Sequence, residues 1–396
     1  MNRWAEVELG SVARIVRTTV DPANVDPQTG YLGLEHIERG GRIIGSATVE
    51  SEGLLSSKFL FEAGDVLYGK LRPYLAKIAI SETPGICSTD ILPVRPGPSL
   101  NRRFLLHFLR QPALVEYANA RTSGANLPRL TPTELAKFTL PLPPLPMQKR
   151  IAAVLDHVNG LRDQRRKVRS LCRELIRSLF IDMFGDARRN PFGWDTCLLG
   201  SVILDGPQNG LYRPGSDYGR GVPILRIDSF QGGSLKDHSK WKLVDADSSE
   251  IERYHLLSGD IVINRVNSRS HLGKSVMVCD VPEDAVFESN MMRLRVNPNR
   301  VLPFYVEQFL QTGYVRAQIL GSAKDAVNQS SINQRDVKGL VLNVPPLSMQ
   351  REFGERVGAV RTLQKANECH LGALDELFTS IQRRAFLGQL WDDGRS

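Results

Sequence analysis

Most signatures that announce an enzyme or a membrane protein are missing from this 396-residue chain. It has five cysteines (Cys87, Cys172, Cys197, Cys279 and Cys369) and no Cys-x-x-Cys pair among them. An odd, scattered set of this kind argues against a disulfide framework and a structural zinc site, and fits reduced thiols in a cytoplasmic protein. No apolar run approaches the roughly 20 residues a membrane helix requires. The opening stretch MNRWAEVELG has no apolar signal core, so export is not expected. The seven histidines are dispersed, with no His-Glu-x-x-His and no Cys/His partner spacing. His107 and His157 fall within helical patterns, where a structural role is expected.

Cofactor loops are missing as well. No glycine-rich loop follows a strand. SHLGKS at 270–275 supplies only the latter half of a phosphate-binding loop, because Ser268 stands where its first glycine is required. Pro345-Pro346 is preceded by Asn343-Val344, which breaks the Asn-Pro-Pro-Tyr tetrapeptide of adenine methyltransferases. The expectation is therefore a chain with no catalytic residues, no metal and no cofactor of its own.

What is present is charge in one place and repetition along the whole length. The formal charge is +8. Residues 1–145 contribute +2 and residues 146–190 contribute +6, while 191–346 and 347–396 each balance. The excess thus sits on one segment, which permits nucleic-acid binding without arguing for it.

PLPPLPMQKRIAAVLDHV at 141–158 returns 202 positions later as NVPPLSMQREFGERVGAV at 343–360, with PPL-x-MQ common to both. WAEVELGSV at 4–12 matches WDTCLLGSV at 194–202, and FEAGDVLYGKLRPYLAKIAI at 61–80 matches LLSGDIVINRVNSRSHLGKSVMV at 256–278. The stretches 85–96 and 107–145 correspond to 285–298 and 308–347. A tandem duplication covers almost the entire chain, its growing offset marking short loop insertions in the second copy.

In each copy the first 140 or so residues read as mixed α/β. A Gly-Asp turn opens a β-rich run (GDVLYGKL, GDIVINRV), and a short strand stops at Pro-Pro (KFTLPLPPL, GLVLNVPPL). A long amphipathic helix follows each Pro-Pro, about 35–40 residues or on the order of 55 Å at 1.5 Å per residue. Its apolar positions recur at threes and fours: Ile151, Val154, Leu155, Val158, Leu161, Val168, Leu171, Leu175, Leu179 and Met183 in the first. The second has Phe353, Val357, Val360, Leu363, Leu371, Leu374, Leu377, Ile381 and Phe386. A stripe that long needs a partner helix, and the other copy supplies one. The spacing predicts two globular domains, 1–145 and 189–346, joined by a central helix at 146–188 and a C-terminal helix at 347–390, packed antiparallel as a coiled coil.

Two globular units, each closed by PLPPLPMQ or NVPPLSMQ and followed by a long helix, resemble the specificity subunit of type I restriction-modification systems. The family often has Glu-Gln after the proline pair; here Met147-Gln148 and Met349-Gln350 keep only the Gln. The resemblance implies a non-catalytic, cytoplasmic DNA-reading subunit with two tandem target-recognition domains, each reading half of a bipartite, asymmetric target. It implies that the helices set the spacer and hold two methyltransferase subunits, which carry S-adenosylmethionine, and through them the restriction and translocase subunits. The partners implied are double-stranded DNA and these proteins, with no membrane.

For DNA contact the candidates in the first domain are Lys70, Arg72, Tyr74 and Lys77, followed by Asn126 and Arg129. In the second domain they are Arg265, Asn267, Arg269 and Lys274, followed by Asn328 and Gln329. Lys and Arg neutralise phosphates and grip guanine, Asn and Gln suit adenine, and Tyr can meet a base or sugar. A solvated loop with ordinary surface charge is the plain alternative. The basic run Arg162, Arg165, Arg166, Lys167, Arg169 and Arg173 either faces spacer phosphates or is a solvated face that docks an acidic partner; the second reading is favoured, since the helices must also carry the methyltransferases. For the whole chain, a coiled-coil scaffold without specific DNA binding is the second reading.

Overall fold

The computed structural model describes residues 4–391 except 125, 232, 327 and 328, and the side chain of Gln231. It is a mixed α/β protein with two helices of 40 residues each, Leu145–Phe184 and Leu347–Phe386. At 1.5 Å per residue each is about 60 Å long. The chain divides into two compact units, Met1–Arg166 with Cys369–Ser396, and Lys167–Glu368, so each unit holds one globular head and half of each long helix.

In the first unit a four-stranded antiparallel sheet runs in the order Ala13–Ile15, Ile91–Pro96, Val66–Gly69, Ile78–Ile80. The Gly-Asp turn explains how it starts. Gly64 has φ +90°, a backbone angle that costs other residues. The buried Asp65 then accepts the N–H of Glu62 at 2.8 Å and both arms of Arg95 at 2.9 Å. The second unit repeats this with Gly259 at φ +93°, Asp260, Leu257 and Arg295. Its four-stranded sheet has the same order: Ile203–Asn209, Met291–Val296, Ile261–Asn264, Ser275–Met277.

A second sheet in each unit contains one parallel pair, Gly30–Leu32 with Gly85–Cys87 and Tyr218–Leu225 with Val286–Phe287. Here the copies diverge. The first unit builds five strands on that pair and the second builds three. Each unit's opening strand pairs with its closing one, Glu6–Glu8 with Thr139–Pro141 and Asp195–Leu198 with Val341–Val344.

Each long helix starts where a proline has no N–H to extend the ladder. Gln148 and Gln350, both fully buried, satisfy the carbonyls of Pro143 and Pro345 at 2.8 Å with their side-chain amides. The shared PPL-x-MQ is thus one stop-and-turn device used twice.

The two long helices pack together. In the first unit Arg150 lies over the ring of Trp391 and Arg162 over that of Phe378, so the helices run in opposite directions there. Phe386 packs on Phe104 and Phe108 of the head. In the second unit Phe180 and Phe184 meet Phe353, Tyr305 and, for Phe180, Phe309.

The expected apolar stripe needs correcting. Ile151, Leu155 and Val158 are buried, but Leu171 and Leu175 are about half exposed, and Cys172, Ile176, Phe180 and Phe184 take the buried positions. On the second helix Phe353, Val357, Val360 and Phe386 are buried while Leu363 and Leu377 are exposed. Gln364, Asn367 and Gln382 occupy buried positions instead. Threes and fours fit two neighbouring phases, and the phase carrying the aromatic rings wins because it buries more apolar surface.

Candidate nucleic-acid interface

The strand Val66–Gly69 delivers the chain into the loop 70–77. The N–H of Lys70 donates to the carbonyl of Asp90 at 2.9 Å, and the carbonyl of Lys70 accepts from Leu130 at 2.9 Å. Arg72 N–H donates to Pro128 at 2.9 Å, and Leu71 bridges to Arg129. These bonds bring residues 128–130 beside residues 70–72, so Lys70, Arg72 and Arg129 lie close together at the end of the strand. Arg72 and Ala76 hold left-handed φ values of 51° and 48°, each costing on the order of 1–3 kcal/mol, with buried Pro73 between them. Arg72, Tyr74 and Asn126 are exposed.

The remaining first-unit candidates have intramolecular partners. Arg129 forms a two-armed pair with Asp90, at 2.9 and 3.3 Å, and this pair raises its pKa. Lys77 Nζ donates to the carbonyl of Leu34 at 2.6 Å and so ties the loop to the head. Lys70 is half-buried, and burial lowers its pKa against the pull of Asp90.

The second unit repeats the backbone arrangement. Arg265 N–H donates to Asn290 at 2.9 Å, and its carbonyl accepts from Ile332 at 2.9 Å. The bridge of the first unit has become a ladder: Val266–Asn267 pairs with Gln329–Ser331, which pairs with Lys324–Ala326. Arg265 Nη1 is bound to the carbonyl of Ser289 at 2.9 Å, and Arg269 forms an exposed ion pair with Asp325. Asn267 Oδ1 accepts the N–H of Ser268 at 2.8 Å. Lys274 and Gln329 are exposed; burial of its ammonium and then Arg316 lower the pKa of Lys274. Asn328 lies outside the described residues.

The basic helix segment is not one uniform face. Arg162 donates to Asp375 of the second long helix at 2.6 Å, and Arg166 donates to Asp163 at 2.9 Å. Arg169 is partly buried, while Arg165 and Lys167 are exposed. His107 is buried with Nε2 at 2.8 Å from Asp156, whereas His157 is exposed. The sequence reading missed a cleft of about 880 Å³ in the second unit, lined by Arg173, Arg177, Arg188, Arg316 and Arg361. No local motif marks it, since its arginines come from segments far apart in the chain. Among the described residues no helix is long and apolar enough to cross a membrane, and no group of three or more His, Cys, Asp or Glu could hold a metal.

Two head-and-helix units with paired loops beside each sheet define a duplicated mixed α/β protein, and comparison shows what it is similar to. Residues 1–167 match the family described as type I restriction modification DNA specificity domain. The chain is 26% identical over 315 residues to the type I restriction enzyme StySPI specificity subunit of Salmonella potsdam, covering 75% of this chain and 67% of that one. It is 25% identical over 317 residues to the EcoKI specificity subunit of Escherichia coli K12, again 75% and 67%. The crystal structure of the type I restriction-modification S subunit from M. genitalium superposes with a TM-score of 0.56 at 12% identity, covering 97% of this chain and 96% of that one. That likeness bears on the fold. The resemblance to type I specificity subunits read from the repeated motifs is borne out.

Proposed function

We propose that this chain is the sequence-reading subunit of a type I restriction-modification complex in the cytoplasm, with no chemistry of its own. Each head reads one half of a bipartite target in double-stranded DNA, and the long helices form a coiled coil that fixes the spacer between the halves. The same helices dock two methyltransferase subunits, which bring S-adenosylmethionine, and through them the restriction and translocase subunits. In this reading the four domains keep the boundaries 1–145, 146–188, 189–346 and 347–390.

The observation that carries the reading is the matched loop pair. Lys70 and Arg265 are held by the same two backbone bonds in both heads, while the side chains around them differ. A common frame with different side chains is what two reading heads for different half-sites require. Arg72, Tyr74 and Asn126 then face the first half-site, and Lys274 and Gln329 the second. Lys77, Arg129, Arg265 and Arg269 shape the loops through their intramolecular bonds.

The test is the sequence methylated by the chain assembled with its methyltransferase. Arg72→Ala with Tyr74→Ala should relax the first half-site only, at about 1–3 kcal/mol per lost base contact. Uniform binding to random DNA with no preferred site would instead support a coiled-coil scaffold.

A further inference from the structure

Where the two long helices face each other, the two units differ in charge: the position is neutral in the first and basic in the second. In the first unit the position is closed by the ion pair between Arg162 and Asp375 at 2.6 Å. The 202-residue offset carries Arg162 to Gln364 and Asp375 to Arg173. The second unit therefore has an amide and a cation where the first has a cation and an acid. Both Gln364 and Arg173 line the 880 Å³ cleft.

The cleft contains little to neutralise its cations. Glu307 is buried and already paired with Arg361 at 3.2 Å. Asp186 accepts the backbone N–H groups of Arg188 and Arg189 at the rim, at 3.0 and 2.9 Å. Among the described residues no carboxylate pairs with Arg173, Arg177 or Arg316. A smaller cleft of about 330 Å³ shares Arg173 and Arg316 and adds Lys274. Guanidinium and ammonium groups gathered in a concave wall repel one another, and a polyanion relieves that cost. The corresponding wall of the first unit is mixed in sign, with Asp375 and Glu376 beside Arg383 and Arg384.

We propose that this cleft holds the DNA backbone beside the second reading loop, with Arg173 and Arg316 as its main phosphate contacts and Lys274 at the junction with the loop. The inference rests on the DNA-reading function proposed above and adds residues to it. The occupant follows from continuity. Arg316 donates to the carbonyl of Ser270, inside the loop that reads the second half-site, at 3.3 Å. Guanidinium forks also suit phosphate oxygens geometrically. Arg173 and Arg316 correspond to Asp375 and Val115 in the first unit, so the two half-sites are held unequally.

The experiment uses the full chain assembled with its methyltransferase and a duplex carrying the sequence that complex methylates. Affinity is measured between about 50 and 200 mM salt, where each phosphate contact contributes roughly 0.9 to the log–log slope. Arg316→Gln, at an exposed position, should lower the slope by about one. Arg173→Asp with Arg316→Gln should lower it by about two or more and weaken binding at least tenfold, with the methylated sequence unchanged. The thermal midpoint of each variant, matched to wild type, shows that it folds. Unchanged slope and affinity in variants of a complex that still selects its site would overturn the groove and leave the reading function standing. Loss of methyltransferase from the variants at an unchanged slope would make the cleft an acidic-partner dock, which also overturns it. A wild-type complex that selects no sequence would remove the function and the groove together.

Discussion

Gln148 Oε1 accepts the backbone N–H of Asn101 at 2.8 Å, and Gln350 Oε1 accepts that of Leu302 at 2.8 Å. Each amide therefore clamps the start of its long helix to the head, joining the first helical turn to the segment that enters the head's own helices. Gln350→Leu would leave the Leu302 N–H and the Pro345 carbonyl buried without partners. Each unsatisfied group costs about 1–3 kcal/mol. Urea denaturation of the variant should show a loss of about 2–5 kcal/mol, and an unchanged midpoint would show that water replaces the clamp.

Phe180 stacks within a cluster of Phe184, Tyr305, Phe309 and Phe353. The duplication places Gln382 at the matching position of the first unit, where it donates to the carbonyl of His107 at 3.0 Å. Phe180→Ala should cost about 3–5 kcal/mol and Gln382→Ala less, because only the first opens a large apolar cavity. Equal losses in chemical denaturation would contradict this account of the second core.

Glu307 gives the second unit a pH dependence. Burial raises its pKa from 4.5 to about 7, against the opposing pull of Arg361 and Gln311. The folded state then keeps a proton that the unfolded chain releases between about pH 4.5 and 7. This contribution is present in full below the unfolded value and is lost as pH rises through the folded one. The shift corresponds to about 3 kcal/mol. Glu307→Gln should flatten the midpoint-versus-pH curve between pH 5 and 8, and a variant with the wild-type slope would assign that slope to another group.

Residues 1–190 contain one head and one complete long helix. Expressed alone, they lose Phe353, Val357 and Val360, the partners of Cys172, Ile176, Phe180 and Phe184. The exposed stripe has a second copy of itself as its nearest substitute, so the half should form an antiparallel dimer. With methyltransferase added, a two-fold dimer should modify an inverted repeat of the first half-site. Its mass in solution and the methylated sequence are the readouts; a folded monomer would exclude the pairing.

The repeat, the Gly-Asp turns and the Pro-Pro stops were legible because each is a local device: a positive φ, a missing N–H, a capped carbonyl. The phase of the long helices was not. Leu171 and Leu175 fit the same spacing as Cys172 and Ile176, and only the rings of Phe353 and Tyr305, far away in sequence, decide between them. Lys77 and Arg129 illustrate the same limit at the candidate interface. Their type and position suit a phosphate contact, yet their partners Leu34 and Asp90 lie 43 and 39 residues away. The arginine cleft was invisible for the same reason, because Arg173 and Arg316 gain meaning only when the fold brings them together.

The division of the chain cuts each long helix between two cores. Helix formation is cooperative, and starting a turn is the costly step. Melting of one head would strip its half of both helices of tertiary support and leave two frayed ends inside the other unit's share. Neither core can be lost alone without shortening the helices on which the other depends, so the two heads should melt as one cooperative system, and damage to one head lowers the thermal tolerance of its twin.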